Sequence, residues 1–332
     1  MRHFVSTTDW APDEIESLLQ HAIDAKAGRR SDSLPGKVMG MVFMNSSLRT
    51  RTSFEAGMFQ MGGHAINLSV GEGMWKLEAA DGVVMDGDAA EHVKEAVPVL
   101  SRYVDVLGLR AFPEGKDWAA DKLDPVISSF AAHSAVPVVN MESSMWHPCQ
   151  ALADALTWKE KGVKNGDKVV VSWAYHPKAL PMAVPNSALV MAAQRGMEVT
   201  VLRPEPFALD AGVMQTAKDL AAETGGSVTE TDDAAALEGA KVVYAKSWGS
   251  LEAYGAPDQE KSIRADYNDW QVTADWMGRT DGGIFMHCLP VRRNVVVADA
   301  VLDSAASVVV DQAENRLHAQ NALLVELLGG KG

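Results

Sequence analysis

No stretch of about 18 consecutive apolar residues occurs in the 332-residue chain, which argues against a membrane-spanning helix. The opening MRHFVSTTDWAPDE has no apolar core of the kind a secretory signal needs, so export is not expected. Cysteine is scarce: Cys149 and Cys288 make no disulfide framework and fit a reducing compartment, so the expected location is the cytoplasm. Neither G-x-x-x-x-G-K-[ST] nor G-x-G-x-x-G follows any apolar run, and nucleoside triphosphate or dinucleotide binding loses support. Cations are also in deficit. Lys and Arg number 30 against 44 Asp and Glu, a formal net charge of −14, which excludes a general nucleic-acid surface. Against that acidic background, Arg49/Arg51 and Arg292/Arg293 stand out.

What the chain does contain is alternation. Apolar residues make up 47% of it, enough for a globular core, and the length suits two domains. Residues 12–24 read as an amphipathic helix that starts on Pro12 and places Ile15, Leu18, Leu19, Ala22 and Ile23 on one face. Then short apolar runs alternate with helical patterns. KVMGMVFM (37–44), HAINLS (64–69), DVLGLR (105–110) and VPVVNME (136–142) read as strands, with a helix expected over 117–131 and another over 147–161. The polar KEKGVKNGD (159–167) is the expected junction. Beyond it KVVVSWA, EVTVLR, SVTET, KVVYAKS, GIFMHCL and SVVVDQ read as strands, and NRLHAQNALLVELL as a closing helix. The expected class is α/β, two domains each with a parallel sheet flanked by helices. The boundaries are 1–150 and 151–332, with the last helix packing back on the first domain.

In parallel sheets ligands bind beyond the carboxyl ends of strands, and the residues found there are polar. NSSLRTRTSFE (45–55) follows the first strand and opens a helix, where Ser47, Leu48, Arg49 and Thr50 offer backbone N–H groups, hydroxyls and a guanidinium to an anion. The plainer alternative is a capped helix with solvated arginines. HPCQ (147–150) puts His147 and Gln150 at another helix start. HCLPVRRN (287–294) brings Cys288, a loop-shaping Pro290, and Arg292 or Arg293 as carboxylate ligands; its plainer reading is a small buried thiol. Arg110, Glu142 and Lys246 end strands, and Arg316 follows one. Two His–Cys pairs raise the question of a metal, but H-x-C and H-C do not match zinc-site spacings, and no metal or other cofactor is expected.

Taken together and in this order, SSLRTRTSFE, HPCQALAD and HCLPVRRN resemble the signatures of the transcarbamylases, the aspartate/ornithine carbamoyltransferases, over essentially the whole chain. HCLP resembles the ornithine side. GMWKLE (73–78), VMDGD (84–88), NME (140–142), YAKSWG (244–249) and the proline-rich HPKALPMAVPNS resemble its N-acylornithine branch, where ordinary ornithine enzymes carry a shorter turn. The resemblance implies a carbamoyl-phosphate-binding first domain and an amino-acid-binding second one. It also implies a knotted proline-rich loop and a homotrimer. Its implied site is Ser47, Leu48, Arg49 and Thr50 on phosphate, with Trp75 reaching in from a neighbouring subunit. Arg110, His147 and Gln150 hold the carbamoyl group, with Cys288, Leu289 and Arg316 completing the pocket. Glu142, His176, Lys246 and Arg292 face the amino acid. The implied reaction carries a carbamoyl group to the δ-amine of an N-acylornithine in arginine biosynthesis. Its alternatives are a plain ornithine or putrescine carbamoyltransferase, a metal-dependent hydrolase, and an inactive anion-binding homologue. In the N-acetyl branch a glutamate lies at the position of Ala90 and a lysine at that of Val296. A small neutral residue at 90 removes a charge that would repel the extra carboxylate of a succinyl group, so N-succinylornithine is expected ahead of N-acetylornithine.

Overall fold

The computed structural model describes residues 1–27 and 33–329, and by their contacts they divide into two compact units. The first is Met1–Glu114, Ala119–Ala153 and Arg316–Gly332; the second is Gly115–Trp118 and Asp154–Asn315. Three of the four divisions fall inside helices. The polar stretch 159–167 is therefore no boundary: it is the turn between a helix and the first strand of the second unit, closed by Lys164 N–H on the Asp167 carboxylate at 2.7 Å.

In the first unit α1 (Pro12–Lys26) starts with proline, whose missing N–H is not needed there, and with Glu14 accepting from Ala11 N–H at 2.8 Å. It buries Ile15, Leu18, Leu19 and Ala22. The chain continues through β1 (Val38–Phe43), α2 (Leu48–Gln60), β2 (His64–Val70), β3 (Gly73–Met74), β4 (Leu77–Glu78), β5 (Glu91–His92) and α3 (Val93–Leu100). Then come β6 (Val106–Arg110), α4 (Trp118–Asp121), α5 (Pro125–His133), β7 (Val138–Glu142) and α6 (Pro148–Glu160). The main sheet runs β3-β2-β1-β6-β7, all parallel. Every residue of β6 and β7 is buried. A fully buried Val or Leu contributes about 1.5–3 kcal/mol, so strands covered on both faces have no reason to alternate. Gly108 in β6 is required by its neighbours: a Cβ there would lie 2.7 Å from Met39 Cε and 2.8 Å from Met141 Sδ.

The second unit holds β8 (Lys168–Trp173), α7 (Ala183–Gln194), β9 (Glu198–Leu202), α8 (Ala211–Thr224), β10 (Ser227–Thr231) and β11 (Val242–Lys246). It closes with α9 (Pro257–Ala265), α10 (Ala274–Gly278), β12 (Ile284–Met286) and α11 (Asp299–Leu302), and α12 (Val309–Leu328) begins in it. Its sheet runs β10-β9-β8-β11-β12, again all parallel. Both units thus repeat one winding: from a central strand outward, then across to its other side.

Several expected elements differ. SVVVDQ is not a strand; Ser307 makes only an isolated bridge to Phe285, and Val309 opens α12. The valines are β-prone, but burial of Gln312, Asn315, Arg316, Ala319, Gln320 and Leu323 follows a helical spacing carried mostly by polar residues. The helix expected over 117–131 is broken in two at Asp124, whose φ of 51° lies in the left-handed region, just ahead of Pro125. Strand GIFMHCL is three residues long. Of the three prolines in 175–190, Pro185 sits in the first turn of α7, where no intrahelical N–H donor is needed. No described helix is long and apolar enough to cross a membrane.

Candidate functional site

The two windings create two switch points, where consecutive strands leave on opposite sides, and ligands favour such crevices. In the first unit it lies between β1 and β6; in the second, between β8 and β11.

At the first, β1 delivers the chain to Ser47, whose Oγ accepts from Thr50 N–H at 3.3 Å and caps α2. Thr50 is buried and Arg49 half-buried, while Leu48 stays exposed, so at Leu48 the backbone N–H is the useful group. Arg316 from α12 is the hub. Its guanidinium donates to Gln150 Oε1 at 2.9 Å, Thr50 Oγ1 at 3.1 Å and Gln320 Oε1 at 2.9 Å, and lies 3.5 Å from His147 Nε2. Gln320 in turn donates to Ser53 Oγ at 2.8 Å. Arg110, at the end of β6, forms a buried ion pair with Glu142, at the end of β7, and His147 Nε2 lies 3.5 Å from the same carboxylate. The Arg110 guanidinium rests 4.5 Å above the Phe112 ring. Two guanidiniums against one carboxylate, beside the N-terminus of a 13-residue helix, make an anion-attracting cluster whose donors are already aimed.

Glu142 was expected to face the amino-acid substrate; in the first unit it is bonded to Arg110. Its φ of 146° is unusual for a side-chain-bearing residue, and Asn140 Oδ1 holds its N–H at 2.9 Å. The turn that follows, Ser143–Trp146, is fastened by the Asp124 carboxylate. Burial raises the Asp124 pKa above the usual carboxylate value, outweighing its hydrogen bonds. Cys149 is buried against Asn140 O, and burial pushes its thiol up to about 12, so it is neither a nucleophile nor a thiolate ligand near neutrality. Among the described residues no cluster of His, Cys, Asp and Glu is disposed to hold a metal ion.

Trp75 is not part of this cluster within one chain: it is 58% exposed and donates to Glu91 at 2.9 Å. Ala90 is likewise exposed, its N–H on Lys76 O at 3.1 Å.

In the second unit β8 leads to His176, and Arg292 Nε donates to His176 Nε2 at 3.0 Å while Nδ1 lies 2.9 Å from Lys178 O. Nε2 accepting from Arg292 suits a neutral ring, and desolvation, with Arg292 and Lys246 nearby, lowers its pKa. Lys246 ends β11 and is half-buried; its carbonyl accepts from Ala174 N–H at 3.1 Å. Beyond β12, His287 Nδ1 accepts from Leu289 N–H at 2.9 Å, and Leu289 has φ 57° before a cis bond to Pro290. Cys288 is half-buried in that loop. Arg293 pairs with Asp299 at 2.9 Å and Asp303 at 2.7 Å. Val296 is buried in the core with Val272, Val297 and Val301.

Sequence reasoning missed the supports. Gln320, Asp124 and Ser143 lie outside the motifs, and Ser53 and Asn140, though inside SSLRTRTSFE and NME, carry no role that their residue type announces. The same holds for Gln312, which accepts from His287 N–H at 2.9 Å and donates to Asp154 at 2.7 Å. The one signal for these was that polar residues of α12 recur at helical spacing.

Residues 2–160 match the aspartate/ornithine carbamoyltransferase carbamoyl-P binding domain, and residues 182–327 match the Asp/Orn binding domain of the same family. The chain is 48% identical over 334 residues to an N-acetylornithine carbamoyltransferase of Xanthomonas campestris pv. campestris, covering 99% of this chain and 98% of that protein. It is 38% identical over 317 residues to an N-succinylornithine carbamoyltransferase of Bacteroides fragilis, covering 95% of each. Among solved structures, acetylornithine transcarbamylase complexed with acetylcitrulline superposes with a TM-score of 0.96 at 48% identity, covering 98% of this chain and 99% of that one. A mutant of N-acetyl-L-ornithine transcarbamylase with one glutamate changed to alanine, complexed with carbamyl phosphate and N-succinyl-L-norvaline, gives the same score and identity, covering 98% of this chain and 100% of that one. With both family domains present across nearly its whole length and the strand-end residues gathered as that chemistry needs, the chain belongs to the aspartate/ornithine carbamoyltransferase family and is a carbamoyltransferase.

Proposed function

We propose that the protein transfers the carbamoyl group of carbamoyl phosphate to the δ-amine of an N-acyl-L-ornithine, giving N-acyl-L-citrulline and phosphate, with N-succinyl preferred over N-acetyl. The phosphate sits at the start of α2 on Ser47, Leu48, Arg49 and Thr50. Arg110, His147 and Gln150, with Arg316 behind them, take the carbamoyl oxygen and amide. The amine nitrogen forms a bond to the carbamoyl carbon, a tetrahedral oxyanion develops, and the carbon–oxygen bond to phosphate breaks. The departing phosphate is an acceptor the chemistry itself offers for the amine proton. Thr50, Arg110 and His147 are the oxyanion donors, an effect worth about 3–4 kcal/mol per donor in comparable sites. Positioning and charge carry the step. His176, Lys246 and Arg292 receive the amino acid, with Cys288 and Leu289 on the carbamoyl side. Trp75 acts across a homotrimer interface, in keeping with its exposure in a single chain. The product is citrulline-like, placing the enzyme in arginine biosynthesis in the cytoplasm.

The observation that carries the succinyl reading is Ala90, exposed and uncharged. Relatives in which one glutamate is replaced by alanine, proline, serine or valine were solved with N-succinyl-L-norvaline. Overall identity favours the second reading, N-acetylornithine: 48% to the acetyl enzyme against 38% to the succinyl one. Overall identity averages the whole chain, whereas a carboxylate is admitted or repelled by the few charges facing it. A panel of ornithine, N-acetylornithine, N-succinylornithine and putrescine, read by phosphate release, tests this. Faster turnover of N-acetylornithine would reverse the acyl preference, and free ornithine or putrescine as the best substrate would sink the acylornithine reading.

A further inference from the structure

We propose that Asp124 is a positioning residue for the carbamoyl-phosphate half of the reaction, ordering through Ser143 the turn that aims both His147 and the Arg110–Glu142 pair. Nothing in the chemistry above uses this carboxylate, and it is nearly buried, at 8% exposure. It stands between α4 and α5 in the left-handed region, φ 51°, its own N–H on Asp121 O at 3.1 Å and its carbonyl receiving Ser128 N–H at 3.1 Å. That backbone setting turns the side chain away from its own helix toward the end of β7.

There it accepts three hydrogen bonds: from Ser143 Oγ at 2.7 Å, Ser144 N–H at 2.7 Å and Met145 N–H at 3.2 Å. Ser143 Oγ is the branch point. It accepts from Asn140 Nδ2 at 2.9 Å and Trp146 N–H at 3.3 Å, while Ser143 N–H reaches Trp146 O at 2.9 Å. One arm runs through Asn140, whose Oδ1 holds Glu142 N–H and with it the positive-φ residue that grips Arg110. The other runs through Trp146 into His147, the residue immediately before α6. Burying this carboxyl group costs more than its hydrogen bonds return, as its raised pKa shows, a cost with no purpose unless the geometry it imposes matters. A misplacement of the order of 1 Å at reacting groups costs about a hundredfold in rate, so the turn is where precision is needed.

The inference rests on His147 and Arg110 contacting carbamoyl phosphate, so the test separates the two ideas. Carbamoyl-phosphate binding is measured by quenching of the intrinsic tryptophan fluorescence in the wild-type protein, Asp124→Asn and Ser143→Ala. Asn tolerates the left-handed backbone and keeps the volume, and Ser143→Ala leaves Asp124 untouched. Steady-state kcat and KM for each substrate and the thermal midpoint are taken on the same samples. The expected result is at least about a tenfold fall in kcat/KM for carbamoyl phosphate in both variants. KM for the acylornithine should stay within about twofold, with both proteins folded at the assay temperature. If the wild type does not bind carbamoyl phosphate, the reading of the site fails and this inference with it. If it binds and both variants keep kcat/KM for carbamoyl phosphate within about twofold, or raise KM for the acylornithine by about tenfold as well, Asp124 is no more than a structural cap.

Discussion

The two units carry the same winding and put polar residues at the same switch point, yet they furnish it differently. In the first, Thr50, Arg110, His147, Gln150 and Arg316 are all at most 9% exposed and already joined to one another or to Glu142. In the second, His176, Lys246 and Arg292 are half-buried or exposed, with one side-chain bond between them. A buried, prearranged cluster suits a small charged group that is the same in every turnover, because its donors need no reordering as charge develops. A wetter, looser set suits a substrate whose acyl arm varies, because few charges then decide what is admitted.

The sharpest way to break this contrast is at its hub. Arg316→Met should lower kcat/KM by about a thousandfold or more, since Thr50, Gln150 and Gln320 all lose their donor, in line with oxyanion-site losses. Steady-state kinetics checks it, and a loss under tenfold would mean the cluster is not prearranged as described. Glu142→Gln comes next: it leaves Arg110 without its buried counter-charge, and breaking such pairs costs about 3–5 kcal/mol. Denaturant unfolding should record most of that. Ala90→Glu should lower kcat/KM for N-succinylornithine by about 10–100-fold while sparing N-acetylornithine, an effect on specificity alone.

The smallest effect is expected in the second unit. The His176 pKa is lowered from 6.5 by desolvation first, so the neutral ring accepting from Arg292 is the favoured form. Its contribution is present above about 6.5 and is lost as pH falls through the lower folded-state value. KM for the acylornithine should therefore rise on acidification within that window, and His176→Asn should flatten the dependence. An unchanged profile would remove His176 from the binding set.

Much of this is legible in the sequence. Strands buried on both faces announced themselves as apolar runs, so β1, β6, β7, β8, β9 and β11 fall where VVF- and VVV-like patterns stand. The motif residues at their ends were legible too, because a parallel sheet must place them on one edge. The misreadings share a cause. Val308–Val310 looked like a strand because hydrophobic pattern ignores Gln312, Asn315, Arg316 and Gln320, which are buried by hydrogen bonding rather than by apolarity. Asp124 looked like a helix residue because nothing local marks its left-handed backbone except Pro125 after it.

Sequence by itself determined the class of fold, the family signatures and the list of groups able to hold an anion, since these depend on periodicity and on residue types at strand ends. Only the tertiary structure decided which of them act together. Arg316 and Thr50 are 266 positions apart in the chain and meet at 3.1 Å, and Glu142 turns to Arg110 while Arg293 turns to Asp299 and Asp303. Partners of that kind are chosen by three-dimensional proximity and by the need to satisfy buried polar groups, and neither leaves a mark at any single position of the chain.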